Sequence, residues 1–248
     1  MDSNKDAYGH TYWNYMKGLT SFSVVERSDG YVNVDAGFKE AFATYKDWDR
    51  HDKDAIKHAN GRVLDIGCGA GRVGRYMQEK GQPYFGIDNS PLSIRVCKQR
   101  GVKDVKIMPI EGIGSFKEGT FGSVVMLGNN FGLFGSLEKA RRLLKQMYRI
   151  TTATGLIVTE TRDPYITDNP VHFRYHKENI KKGRMGGQLK LRIRFMQYST
   201  DWFDYLYVSR DEMRELLEGT GWRVKKFFLS RNYHTDGEYA AVIVKDGR

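Results

Sequence analysis

The chain has 248 residues, of which 40% are apolar and 13% aromatic, and it carries a formal charge of +10. That length suits one domain with an elaboration and is ample for a sizeable core. No stretch approaches the ~18 apolar residues of a membrane-spanning helix, and the first residues, Met1 to Lys5, lack the apolar segment of a signal peptide. The two cysteines, Cys68 and Cys97, give neither a disulfide framework nor metal-ligand spacing. A reduced, cytoplasmic setting is therefore expected, with no metal centre and no membrane partner. The positive charge attracts anionic partners but is equally that of solvated lysine faces.

Residues 1–60 are polar and aromatic, with Tyr8, Tyr12, Trp13 and Tyr15 close together, and helical spacing over 10–17 and 35–58 predicts an N-terminal helical cap. Alternating strand and helix signals follow, the mark of a parallel sheet with helices on both faces. A strand is expected at 62–66, a helix near 71–80 and a second strand at 83–87 that ends at Asp88. Asn89-Ser90-Pro91 opens a helix to about Arg100, with Pro91 near its first position. Strands at 105–108 and 122–127, a helix at 136–150 and a strand at 155–160 complete the alternation, and Pro164 stops it. Strand-like pieces near 171–177, 187–198 and 201–208, with a Gly-rich turn at 183–187, predict an antiparallel β insertion. Ser209-Arg210-Asp211-Glu212 has the S-x-x-E form of a capped helix start, and Gly219 and Gly221 end that helix. Strands at 222–229 and 238–244 finish the sheet.

The most informative stretch is 63–72, Val-Leu-Asp-Ile-Gly-Cys-Gly-Ala-Gly-Arg. A buried strand turns sharply into a helix through Gly67, Gly69 and Gly71, where the backbone adopts positive φ or approaches a ligand closely. The helix start adds unpaired N–H groups. Gly69, Gly71 and Gly74 also satisfy the dinucleotide pattern G-x-G-x-x-G, with Asp88 placed 17 residues past Gly71 as a ribose acceptor. Asp65 separates the two possibilities: a carboxylate beside the turn disfavours a pyrophosphate and favours a ligand with a cationic amino-acid end.

This combination resembles the first motif of the class I S-adenosylmethionine-dependent methyltransferases. The resemblance covers roughly 60–165 and 209–245. It implies an α/β, Rossmann-like fold: a seven-stranded, mostly parallel sheet with helices on both faces, carrying the N-terminal helical cap and the antiparallel β insertion. Its parts would be the cap at 1–60, the S-adenosylmethionine-binding core at 61–164, the insertion over the substrate site at 165–208 and the C-terminal part of the core at 209–248. It implies S-adenosyl-L-methionine as cofactor, held by Tyr12, Asp65, Gly67, Gly69, Gly71, Asp88, Asn89, Glu111, Gly112 and Gly128. Leu127-Gly128-Asn129-Asn130-Phe131 looks like the Gly-Asn-Ser-Phe motif of the glycine and sarcosine N-methyltransferase branch, and Thr161-Arg162-Asp163-Pro164-Tyr165 is similar to its His-Arg-Asn-Tyr motif. Asn129 and Asn130 follow strand four beside the expected methyl group and are the catalytic candidates; the likeness implies Arg162 as an anion clamp, with Tyr165 beside it as the second substrate-binding candidate. Asn130 stands where the branch has Ser, and Pro164 interrupts the second motif.

Plainer readings stand beside these. The glycines serve a turn, Asp88 caps the next helix, Asn129-Asn130 forms a bend, and Arg162 pairs with an acid. The expected partner is a small, anionic metabolite methylated at nitrogen or oxygen. The competing reading is RNA methylation, because Lys181, Lys182, Arg184, Lys190, Arg192 and Arg194 occur with no acid from 181 to 194. His172, His176 and His234 are the histidines considered as general bases.

Overall fold

The computed structural model describes residues 2–35 and 37–247. In chain order its elements are α1 (Ala7–Met16), β1 (Ser23–Arg27), β2 (Val32–Asp35), α2 (Arg50–Ile56), β3 (Val63–Ile66), α3 (Arg72–Glu79), β4 (Tyr84–Asp88), α4 (Pro91–Gln99) and β5 (Val105–Ile107). There follow β6 (Phe121–Met126), α5 (Leu137–Ile150), β7 (Thr151–Arg162), α6 (Pro170–Lys181), β8 (Gln188–Phe195), β9 (Tyr198–Ser199) and β10 (Phe203–Leu206). The chain ends with α7 (Arg210–Leu217), β11 (Trp222–Leu229), α8 (Tyr233–Asp236) and β12 (Glu238–Lys245). A seven-stranded sheet has the order β11-β12-β7-β6-β3-β4-β5, and a five-stranded sheet has the order β10-β8-β1-β2, with β9 on β8. In the larger sheet β4 and β5 run parallel, as do β6 and β7, while β12 is antiparallel to both β7 and β11. No helix among the described residues is long and apolar enough to cross a membrane.

The residues group into two compact units: 1–48, 64–112 and 190–203 in the first; 49–63, 113–189 and 204–248 in the second. The first unit buries Leu64, Ile66, Met77 and Ile87. Its N-terminal segment has the expected helix at α1, shifted from 10–17 to Ala7–Met16, and adds a β-hairpin that the sequence reading did not include. Among the described residues up to 48, α1 and short 3-10 turns are helical; β1 and β2 form an antiparallel hairpin, and β1 also pairs with β8, Val25 opposite Ile193. Asp29-Gly30 makes the turn, with Gly30 at φ 88°, a hairpin signal masked by the aromatic helical spacing around it. Asp6, 3% exposed, accepts from the Gly9 amide at 3.0 Å as the cap of α1 and from the Leu92 amide in the first turn of α4 at 3.1 Å. One carboxylate thus starts α1 and moors it to α4.

The second unit is built around β6 and β7, with Phe121, Phe131, Phe134, Trp222 and Tyr239 almost fully buried. The capping box at Ser209 and Glu212 is present: the Glu212 amide donates to the Ser209 hydroxyl at 3.2 Å and the Ser209 amide to the Glu212 carboxylate at 2.8 Å. Residues 171–177, expected as a strand, lie in α6. Val171, Phe173 and Tyr175 alternate with polar residues as a strand would, but Asn169 caps the segment through the Val171 amide at 2.9 Å and Pro170 sits at its first position. Local capping wins because α6 buries only His176 and Asn179, leaving Val171 and Phe173 exposed.

Removing the Asp6 carboxylate leaves two amides without their acceptor, a loss of about 1–3 kcal/mol. Asp6→Ala is expected to lower the thermal midpoint by roughly 2–10 °C in a circular-dichroism melt; an unchanged midpoint would show that the mooring contributes nothing.

Candidate functional site

All four residues of β3 are buried, and the chain leaves the sheet through Gly67, Gly69 and Gly71 at φ 74°, 53° and 84°. Gly71 is the N-cap of α3, and a side chain there would meet Val102 Cγ2 at 2.9 Å and Cys97 Sγ at 3.1 Å. The amides of Gly67 and Cys68 donate to the Ile87 carbonyl at 2.9 and 3.0 Å, Gly71 donates to the Cys68 carbonyl at 2.8 Å, and Gly69 donates to Asp88 Oδ2 at 2.9 Å. These four amides are committed inside the protein. A pyrophosphate cradle needs such amides free, and the Asp88 carboxylate beside them repels phosphate. The loop therefore does not offer a phosphate cradle.

Asp88 accepts once at each oxygen, its Oδ1 from the Ser90 amide at 2.9 Å. An ionised carboxylate has lone pairs left for a vicinal diol. It does not cap α4; Ser90 does, through the Ser93 amide at 2.9 Å. Burial, opposed by the Ser90 and Gly69 amides, lifts the Asp88 carboxyl to about 6. Asp65, expected to face the ligand, is instead turned into the protein at 2% exposure and accepts from the Tyr84 hydroxyl at 2.8 Å. Burial raises it to about 7. Sequence spacing places an acid on a strand but does not say which face of the strand it takes. Tyr12 on α1 lies over the loop, its ring 3.4 Å from where a Gly69 side chain would begin. Asn89 and Glu111 are exposed and Gly112 half-buried, the last two in a 3-10 turn at Ile110–Ser115. Tyr12, Asp65, Gly67, Gly69, Gly71, Asp88, Asn89, Glu111 and Gly112 thus share the first unit. Behind the loop the Cys97 thiol donates to the Gly69 carbonyl at 3.1 Å, and the Cys68 and Cys97 sulfurs are 3.9 Å apart and buried.

The second unit holds Gly128, Asn129, Asn130, Arg162 and Tyr165. Asn129 adopts φ 61°, a left-handed conformation. Its carbonyl accepts from the Tyr205 hydroxyl, and its amide donates to Glu160 Oε2 at 3.3 Å, the same atom that takes the Gly128 amide. Its side-chain Oδ1 is buried with no hydrogen-bond partner. Arg162 forms an ion pair with Glu238, as the plainer reading has it, while its Nε is buried and unpartnered. The hydroxyl of Tyr165 donates to Glu212, the acid of the α7 capping box.

Sequence reasoning missed His51, Glu160, Glu238 and Tyr205. His51 Nε2 lies 3.4 Å from Glu160 Oε1 and 3.9 Å from Asp52 Oδ1. Burial opposes charge on His51, but Glu160, Asp52 and Asp49 outweigh it and raise the imidazole to about 9. His51, Glu160 and Glu238 bring one ligand atom each within 4.8 Å. The chain supplies its own cations there: His51 faces Glu160, and Arg162 sits on Glu238. No spacing announces this group, whose members come from α2, β7 and β12. Of the histidines considered from the sequence, His172 and His176 stack on each other along α6, and His234 lies in α8.

Residues 64–159 match the family model described as a methyltransferase domain. The chain is similar over its whole length to a solved S-adenosylmethionine-dependent methyltransferase from Bacteroides fragilis in complex with S-adenosyl-L-homocysteine (TM-score 0.82, 23% identity, 100% of this chain and 98% of that one). Another from Methanosarcina mazei aligns at TM-score 0.59 and 16% identity, over 76% of this chain and 93% of that one. Over 87 residues the chain is 33% identical to the bovine (Bos taurus) 18S rRNA (guanine-N(7))-methyltransferase, covering 35% of this chain and 31% of that protein. None of these singles out the glycine and sarcosine branch.

With the Asp88 carboxyl at about 6, above the ordinary 3.8, the native chain binds more protons than the unfolded chain between these values. Ionising Asp88 therefore lowers the stability of the free protein as pH rises through that window. A diol grip needs the ionised form, so affinity for S-adenosylhomocysteine is expected to rise from pH 5 to pH 7 and then level off. Asp88→Asn should weaken binding by about 1–3 kcal/mol and flatten the pH dependence in calorimetry; a variant that keeps both removes Asp88 from the diol role.

Proposed function

We propose that this chain, whose residues 64–159 match the methyltransferase-domain model and whose fold is that of a solved S-adenosylmethionine-dependent methyltransferase, is itself such a methyltransferase and methylates a small, anionic metabolite at nitrogen or oxygen. The observation that carries the acceptor class is that two of the buried polar atoms left open in the second unit, Asn129 Oδ1 and Arg162 Nε, belong to the residues that follow β6 and end β7. A buried group without a partner costs about 1–3 kcal/mol, and a ligand recovers that. A carbonyl oxygen such as Asn129 Oδ1 receives an N–H or O–H, the hydrogen borne by an amine or hydroxyl nucleophile. A guanidinium N–H meets the oxygen of an anion, and the ion pair with Glu238 leaves this one available.

When bound, the methyl sulfonium supplies an already activated carbon and a neutral thioether leaving group. The protein's task is then alignment and water exclusion, for which proximity and orientation provide about 7–11 kcal/mol. Asp88, held in place by the Gly69 and Ser90 amides, takes the ribose diol of the nucleoside end. Asn129, locked at its amide and its carbonyl, orients the nucleophile's hydrogen, and Arg162 takes the anionic end.

A second reading has a specific observation behind it, the bovine relative that acts on rRNA; the chain spans about a third of that protein's length. The basic stretch gives it less support. Lys181 pairs with Glu178 at 2.7 Å, Arg192 pairs with Glu26 at 2.7 Å and lies over Trp202, and Arg194 reaches Glu26 at 3.5 Å. Arg141 and Arg149 on α5 donate to backbone carbonyls of Leu216, Glu215, Gly114 and Phe116.

Methyl-labelled S-adenosylmethionine incubated with a cell extract divided by size tests both readings. Label is expected in the low-mass fraction; label confined to RNA, with a salt-dependent tRNA gel shift, would replace the metabolite by RNA. Arg162→Ala should raise the acceptor KM about tenfold or more and leave S-adenosylhomocysteine affinity within about twofold. Equal losses of both would count against the anion role.

A further inference from the structure

We propose that Glu160 and His51 are a positioning couple: His51 holds the Glu160 carboxylate in place, and that carboxylate fixes the Gly128–Asn129 peptides so that Asn129 presents its side chain to the methyl acceptor. The role given to Asn129 rests on the function proposed above; the fixing of the loop does not. Every contact in the argument lies within the second unit.

The case begins with a conformation. Asn129 is one of two non-glycine residues with positive φ among the described residues, and that backbone region disfavours side chains. Such a conformation persists where its surroundings over-determine it. Here both ends of the residue are held: the amide by Glu160 Oε2, together with the Gly128 amide, and the carbonyl by the Tyr205 hydroxyl. A Cβ on Gly132 would meet the Tyr205 ring at 2.1 Å, so that ring also packs directly under the 3-10 turn Asn130–Phe134.

A carboxylate that takes two amides on one oxygen is a strong anchor, but Glu160 is only 5% exposed, and a buried charge needs a counter-charge. His51, 3% exposed, provides it from α2 at 3.4 Å on the other oxygen. The groups that face His51 are acids: Glu160 from β7, Asp52 and Asp49 from the α2 end, and Glu238 from β12. Arg162 neutralises Glu238, so the imidazolium is directed to Glu160. The couple sits on two regular elements and acts on a loop, the arrangement needed to hold a side chain to a fraction of an ångström.

The test is amide NMR of the 15N-labelled full chain, read beside calorimetry with S-adenosylhomocysteine and label transfer into the low-mass extract fraction. In the unmodified protein the Gly128 and Asn129 amides are expected downfield and slow to exchange. Glu160→Gln should move both upfield, speed their exchange roughly ten- to hundredfold, leave the affinity for S-adenosylhomocysteine within about twofold and lower kcat, not the KM for S-adenosylmethionine, by roughly tenfold or more. His51→Asn should act in the same direction and to a lesser degree, and Glu160→Asp should restore part of the protection. The proposal falls if the two amides are already unprotected in the unmodified protein, if they do not respond to Glu160→Gln, or if nucleoside affinity falls as far as turnover. Amides that respond as expected in a chain that labels neither size fraction would leave the couple standing and overturn the acceptor reading instead.

Discussion

The glycine turn of the first unit depends on one hydrogen bond, from the Gly69 amide to Asp88 at 2.9 Å. It ties the turn after β3 to the end of β4. Gly69 takes φ 53° at this point, a left-handed conformation that glycine adopts without a side-chain penalty. The bond removes an amide from any phosphate and places a carboxylate where the phosphate would lie.

The second unit uses the same chemistry differently. Glu160 again accepts from loop amides, at Gly128 and Asn129. Its charge is balanced by a buried imidazole, whereas Asp88 is accommodated by backbone amides alone and is raised by burial. Loops that follow parallel strands carry unpaired N–H groups, and in both units a carboxylate from an adjacent strand end gathers them. This gives the loops a fixed shape without regular secondary structure.

Much of this was legible in the sequence. The glycine turn, Asp88, Pro91 at a helix start, the Ser209 box and the strand-helix alternation are local signals, each with a near-neighbour cause. What escaped has causes far along the chain. His51 and Glu160 are 109 residues apart, and nothing in the composition around His51 marks it as a partner for a strand end. β1 lies between the two stretches of helical spacing and was given no element of its own, and its partner β8 lies well over a hundred residues on. α6 failed in the opposite sense, where a strand-like alternation was overruled by two capping residues. Asp65 shows a third limit: the acid was located, but its direction, toward Tyr84, is set by packing. Arg162 illustrates a fourth, since both the clamp and the salt-bridge readings describe parts of one guanidinium.

The two thiols behind the glycine turn have a further consequence. Cys68 and Cys97 are the chain's only cysteines, both are buried, and one of them hydrogen-bonds to the Gly69 carbonyl. A reagent in solution reaches these sulfurs only when the turn lifts away from α4, so alkylation proceeds no faster than that opening allows. The molecule thereby contains its own clock for the breathing of its most important bend, readable by mass without adding a probe.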